Sequence, residues 1–251
     1  MSNGSGTSRR DAPPVDLMFE SVPVNDGTRN RPGIAESPGR PAPHPAPVRE
    51  TVAMTVNDPT DWETAYVRGT TGWDLGAPLA YIEEDAALFG EPGTAFAPGA
   101  GRGHDAAGLA AAGWRTTVVD VSPTAAAHAA EHYPDLTYVV GDAFDVDVVL
   151  AATGGPVDLM WDHTFFCALP PAWRGRVGDL ARAVVRPGGR VASGVFPIDR
   201  PSEEPGPPWT YVPEDMTRAL RPDFDLVHLS EPRRLNPRLP WSHRLGIWQR
   251  R

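Results

Sequence analysis

Thr94-Ala-Phe-Ala-Pro-Gly-Ala-Gly-Arg-Gly-His-Asp105, followed by Thr116-Thr-Val-Val-Asp120, decides the fold. An apolar run enters a glycine turn, a helical stretch follows, and a second apolar run closes on a carboxylate. Gly99, Gly101 and Gly103 allow positive φ and close approach of the backbone to a ligand, while the first amides of the helix point into the same place. Asp120 stands where a carboxylate takes both hydroxyls of a ribose. This is the pattern of an adenosyl-ligand site. Dinucleotide enzymes favour G-x-G-x-x-G, whereas this chain reads G-x-G-x-G with Asp105 following, so the spacing leans to S-adenosylmethionine without separating the two cofactors completely.

Around this centre the pattern alternates. Strands are expected over 94–97, 116–119, 136–140, 157–161 and 189–196, with helices near 106–112, 124–131 and 172–184 between them, after helical stretches at 62–67 and 80–89. Such alternation predicts an α/β fold, a mostly parallel sheet with helices on both faces. Arg186-Pro-Gly-Gly189 reads as the turn into the fifth strand. Runs 224–230 and 244–250, joined by a proline-rich link, should pair antiparallel at one edge. A C-terminal antiparallel strand is typical of class I methyltransferases and foreign to the usual dinucleotide fold. In an open α/β sheet the ligand lies beyond the carboxyl ends of the strands. After the third strand, Asp142 and the Ala143 amide are placed to hold an adenine edge and Phe144 to cover its face. After the fourth come Asp162 and His163, where a methyl group would be presented.

Composition limits the remaining possibilities. The chain has 251 residues, 41% hydrophobic and 22% charged, enough for one domain with a substantial core. Of its 29 prolines, Pro13, Pro14, Pro23, Pro32, Pro38, Pro41, Pro43, Pro45 and Pro47 precede Glu50, which predicts a disordered tail over 1–50 and a folded domain over 51–251. No apolar run in that tail is long enough for a signal peptide or a membrane span, so a cytoplasmic location is expected. The single cysteine, Cys167, forms no internal disulfide and reads as a small buried hydrophobe. A net charge of -9 with scattered basic residues argues against nucleic acid and for a small-molecule acceptor, with no membrane partner and a monomer or weak homodimer as the expected state. His128 and His132 lie four apart on a predicted helix, but no third ligand accompanies them, so no metal is expected. No hydrolase elbow or nucleoside-triphosphate loop is present.

Four stretches in order, Gly72-Trp-Asp-Leu-Gly-Ala-Pro78, Pro98-Gly-Ala-Gly-Arg-Gly-His-Asp105, Asp158-Leu-Met-Trp-Asp-His-Thr-Phe-Phe-Cys-Ala-Leu-Pro170 and Gly206-Pro-Pro-Trp-Thr-Tyr-Val-Pro213, resemble the thiopurine and thiol/halide methyltransferase family across 61–251. The resemblance implies a class I fold and transfer of the methyl of S-adenosylmethionine to a soft nucleophile: a thiol, bisulfide, thiocyanate, thiopurine or halide. It implies that Trp73 covers the donor, an indole face against a sulfonium, and that Gly99, Gly101, Asp120, Ala143 and Phe144 hold the adenosine portion. Gly103, Asp105, Val121, Asp142 and Asp162 complete the expected donor-binding set. Residues 162–166 and 207–209 would form the acceptor pocket, with Phe165, Phe166, Pro207 and Trp209 beside His163.

Ala100 replaces the cysteine common in the family, and His163 replaces the tyrosine usual in the plant enzymes. His163 and Asp162 are therefore the candidate catalytic residues. An imidazole at 163 can accept a proton from a thiol or orient an anionic acceptor. In-line attack on a sulfonium methyl needs little further acid–base chemistry, so positioning is expected to do most of the catalysis. The alternative is a class I O- or N-methyltransferase of a specialised metabolite, which would need a general base from among His163, His104 and His243. A non-catalytic adenosyl-ligand binding protein is the third reading.

Overall fold

The computed structural model describes residues 59–204 and 206–251, so the tail expected over 1–50 lies outside the described residues. Seven strands form one sheet in the order β3-β2-β1-β4-β5-β7-β6. They are β1 (Thr94–Pro98), β2 (Arg115–Asp120), β3 (Thr137–Val140), β4 (Val157–His163), β5 (Val185–Val195), β6 (Phe224–Leu229) and β7 (Arg244–Arg250). The first five pair in parallel, and β7 runs antiparallel to both β5 and β6. The expected terminal hairpin is thus present, with β7 inserted between its partner and the rest of the sheet.

The helices are α1 (Pro59–Arg68), α2 (Tyr81–Glu84), α3 (His104–Ala111), α4 (Pro123–His132), α5 (Val146–Thr153), α6 (Arg174–Val184) and α7 (Pro213–Leu220). Each face of the sheet buries its own core. On one side Phe96, Met160 and Trp248 meet Val149 of α5, Val177 and Leu180 of α6 and Met216 of α7. On the other, Leu159, Trp161, Leu245 and Ile247 meet Leu79, Ile82, Phe89 and Leu109. The alternation is that of a strand, whose successive side chains point to opposite faces. Each large apolar side chain buried this way contributes ~2–3 kcal/mol.

Three local differences from the pattern have physical causes. The helix expected over 80–89 breaks at Asp85 into α2 and a 3-10 turn, Ala86–Phe89. α5 escapes detection because Val-Asp-Val-Val-Leu is β-branched and apolar, yet Asp145 caps it by accepting the Val148 amide at 3.2 Å and Gly154, at φ 76°, ends it. α7 is short and set between prolines, but Pro213 starts it and Asp215 accepts the Val212 amide at 3.1 Å. β5 begins earlier than expected: Val185 pairs with Val157, and Arg190 is the next partner, of Leu159, so Arg186–Gly189 bulges out where the turn was predicted. Among the described residues no helix is long and apolar enough to cross a membrane.

α6 and α7 approach through Gly178, where an added Cβ would lie 1.8 Å from the Ala219 carbonyl oxygen. Gly175 in the same helix has open space at that position. Gly178→Ala should therefore destabilise the fold by about 2–3 kcal/mol in denaturant unfolding. Gly175→Ala should be neutral or stabilising by up to about 1 kcal/mol, and equal effects at the two sites would contradict the packing described.

Candidate active site

The chain leaves β1 at Pro98 and turns through Gly99 and Gly101, both at φ 54°, and Gly103 at φ 80° before entering α3. A Cβ at Gly101 would fall 2.1 Å from the Tyr66 hydroxyl, and one at Gly99 would fall 2.5 Å from the Phe165 ring, so side chains are barred by space as well as by backbone conformation. The Gly101 peptide is held from two directions. Its amide donates to Asp120 Oδ2 at 2.8 Å, and its carbonyl accepts the Tyr138 hydroxyl at 2.7 Å. Asp120 Oδ1 accepts the Ser122 amide at 2.9 Å. Burial raises the Asp120 carboxyl above its usual range against the pull of these amides.

A cover is built over this loop from α1 and residues 69–78. Glu63 anchors α1 to the start of α4 by accepting the hydroxyls of Ser122 at 2.6 Å and Thr124 at 2.5 Å. Trp73 packs edge-on to Trp62 and Tyr66, with ring centroids at 5.4 and 5.9 Å, and its indole N–H reaches the Tyr66 hydroxyl at 3.4 Å. Asp74 fastens the cover to the glycine loop through Arg102 at 2.6 Å and His104 Nε2 at 3.1 Å. Between cover and loop is a cleft open to solvent, walled by Tyr66, Trp73, Leu75, Gly99, Gly101 and Arg102 together with Asp105, Trp161, His163 and Thr164.

The end of β4 closes the cleft. Strand alternation puts His163 on the side of Trp161 and Asp162 on the side of Met160, and the β4–β5 register sets His163 beside Gly194 and Asp162 beside Ser193. His163 Nδ1 lies 2.8 Å from Asp105 Oδ2, which also accepts the Trp161 indole N–H at 3.0 Å. Thr164, the only non-glycine residue with positive φ among the described residues, turns the chain at φ 65° and donates its hydroxyl to the His163 carbonyl at 2.6 Å. A β-branched residue held there costs about 1–3 kcal/mol, the kind of strain that collects at functional sites.

The structure gathers Trp73, Gly99, Gly101, Asp105 and His163 around one cleft, with Phe165 covering Gly99. Asp120 holds the Gly101 amide and also bonds the Val121 amide, and Gly103 faces Leu136 and Ala129. Asp142 accepts the Phe144 amide at 2.9 Å, Ala143 is buried, and the Phe144 ring sits 5.5 Å from that of Phe165. Asp162 turns into the fold, accepting the Phe166 amide at 2.9 Å and the Ser193 hydroxyl at 2.5 Å, and burial raises its carboxyl. Phe166 is fully buried in the core beside Tyr211. Pro207 and Trp209 belong to the segment that rests on Cys167, whose carbonyl accepts the Trp209 amide at 2.8 Å. Thr164, within the acceptor segment expected over 162–166, lines the cleft, as do Tyr66, Asp74, Arg102 and Trp161, which were assigned no role from the sequence although Asp74, Arg102 and Trp161 lie inside the motifs that carry the resemblance.

Burial works against charge on Asp74, but His104, the Gly76 amide and Arg102 outweigh it and hold the carboxyl well below the usual range. A lowered folded pKa gives stability that is complete above the unfolded value of about 4 and is lost as pH falls. Asp74→Asn should therefore lose about 1 kcal/mol of stability at pH 7. The gap from the wild type should shrink as pH drops below about 4. A gap that stays constant to pH 2 in thermal or denaturant unfolding would show that the carboxylate charge is not what fastens the cover.

A probable thiol methyltransferase 2 of Arabidopsis thaliana is 29% identical over 203 residues, covering 78% of this chain and 88% of the relative. A thiocyanate methyltransferase 1 of the same plant is 27% identical over 223 residues, covering 84% and 93%. Among solved structures, the 1,6-didemethyltoxoflavin-N1-methyltransferase of Burkholderia thailandensis with bound S-adenosylhomocysteine superposes with a TM-score of 0.55 at 22% identity, covering 76% of this chain and 86% of that one. A glycopeptide N-methyltransferase complexed with S-adenosylhomocysteine gives 0.55 at 16% identity, covering 71% and 92%. These two likenesses concern the fold. The thiopurine S-methyltransferase family model matches residues 57–238, and the chain belongs to that family of S-adenosylmethionine-dependent methyltransferases.

Proposed function

We propose that this enzyme transfers the methyl group of S-adenosylmethionine to a small sulfur nucleophile. The observation that carries the reading is that the glycine loop, the Trp73 cover and the His163 end of β4 line one cleft. The residues present fit the donor: the loop offers bare backbone at Gly99 and Gly101, where a Cβ would fill the cradle, and Trp73 and Tyr66 offer rings suited to a sulfonium. Asp120, at the end of β2 beside the loop, carries the carboxylate that would take the ribose hydroxyls. Phe144 and Phe165 are near enough to each other to face an adenine. When bound, the donor supplies an electrophilic methyl on a cationic leaving group.

The chain's own part is positioning and exclusion of water. Holding two reactants in a near-attack arrangement can supply roughly 7–11 kcal/mol, and the cover over the loop supplies that constraint. The acceptor is a small molecule rather than nucleic acid, consistent with a net charge of -9. A cytoplasmic enzyme, monomeric or weakly dimeric, with its methyltransferase domain over 51–251 and a dispensable segment before it completes the proposal; the family match beginning at residue 57 supports that boundary.

Isotopically labelled S-adenosylmethionine offered with thiocyanate, bisulfide, an aryl thiol, a thiopurine and iodide should give methylated sulfur products without added metal. Trp73→Ala should weaken donor binding about tenfold or more by calorimetry, the size of a lost desolvated cation–π contact. Labelled product only from hydroxyl or amine acceptors would replace the sulfur reading with that of an O- or N-methyltransferase.

A further inference from the structure

The Asp105 carboxylate accepts three hydrogen bonds: the Leu79 amide at 2.7 Å on Oδ1, and the Trp161 indole N–H at 3.0 Å and His163 Nδ1 at 2.8 Å on Oδ2. Burial opposes the charge, but His163 and the other N–H donors outweigh it and hold the carboxyl below its usual range. An ionised carboxylate only accepts, so the His163 proton resides on Nδ1. In the singly protonated ring the lone pair is then on Nε2. Among the described residues no group is bonded to that atom, and the ring lines the cleft.

We propose that Asp105 is a positioning residue that fixes His163 as the Nδ1–H tautomer, so that Nε2 takes the proton of a neutral thiol. The preferred acceptors are accordingly protonated thiols rather than anions with no proton to lose, such as thiocyanate or iodide. This rests on the sulfur methyltransferase reading. The S–H proton passes to Nε2, the sulfur pair forms the new S–CH3 bond, and the pair of the broken bond stays on the donor's sulfur. His163 then releases its proton to water at the open side of the cleft. A free thiol is only a few per cent ionised at neutral pH, so a base in the site raises the reactive fraction.

The surroundings suit that task. The titratable groups packed about the ring are Asp105 of α3, His243 just before β7 and Asp162, its neighbour in β4. His243 is stacked on Phe196, its ring 5.7 Å from that of His163, and burial together with His163 pushes it down to about 3. It therefore stays neutral and does not oppose a charged His163. Asp162 spends its oxygens on the Phe166 amide and Ser193. Asp105 is left as the counter-charge.

The test compares wild type, Asp105→Asn and His163→Gln, because Asp105→Asn also disturbs the Leu79 and Trp161 bonds. Nitrogen NMR of histidine-labelled protein should show His163 as Nδ1–H in the wild type and a shift toward Nε2–H in Asp105→Asn. With an alkyl thiol that is mostly protonated at pH 7, kcat/KM should fall about 10²-fold or more in both variants. That loss should exceed the loss with an aryl thiol already ionised at pH 7 by at least about tenfold, since only the first needs the base. The variants' alkyl-thiol rate should also rise with pH up to the acceptor's own ionisation. A wild-type Nε2–H tautomer, or equal losses with the two thiols, would overturn the dyad and leave the methyltransferase reading standing. A wild type that binds the donor and methylates no sulfur acceptor would overturn both.

Discussion

At the end of β4 a strand's two-residue period sends Asp162 to one face of the sheet and His163 to the other, and the site follows from that division. Asp162 goes to the side of α6 and α7, where Ser193, Tyr211 and the Phe166 amide satisfy it and fix the segment after the strand. His163 goes to the side of α3, where Asp105 receives it. One carboxylate, Asp162, is spent on the fold and the other, Asp105, on the orientation of a ring. The adjacent positions of Asp162 and His163 in sequence conceal how different their surroundings are.

The glycine loop shows the same economy of backbone. Its turn works because Asp120 takes the Gly101 amide and Tyr138 donates to the Gly101 carbonyl, so the Gly101 peptide is tied from both sides by the protein itself. The helix that follows begins with His104 and Asp105, and the two point to different tasks: His104 to the cover through Asp74, Asp105 to the strand through Trp161 and His163. Cover, loop and strand end are thus fastened to the first turn of one helix. A shift of α3 would move all three together, which keeps a donor held by the loop in a constant relation to an acceptor at β4.

Much of this was legible in the sequence. The glycine spacing, the carboxylate closing β2 and the terminal pair of strand-like runs were enough for the sheet and its ligand edge, because periodicity and turn chemistry are local properties. The α5 helix was not, since its valines carry no helical period and its caps matter more than its interior. Phe166 reads as a pocket wall by its place after β4, whereas only tertiary packing reveals that it lies in the core. The Asp105 pairing was equally hidden: the residue reads as part of the donor loop, and its partner is 58 positions away. Contacts of that separation are set by the crossover of strand and helix, not by neighbouring residues.

The most direct measurement is a crystal structure with S-adenosylhomocysteine bound. The account predicts its adenosine and sulfur along the Gly99–Gly101 backbone, Trp73 over the methionyl portion, and the sulfur facing the cleft wall that carries His163 Nε2. A product molecule seated outside that cleft, or one whose sulfur faces away from the end of β4, would contradict the claim that donor loop and His163 serve one methyl transfer.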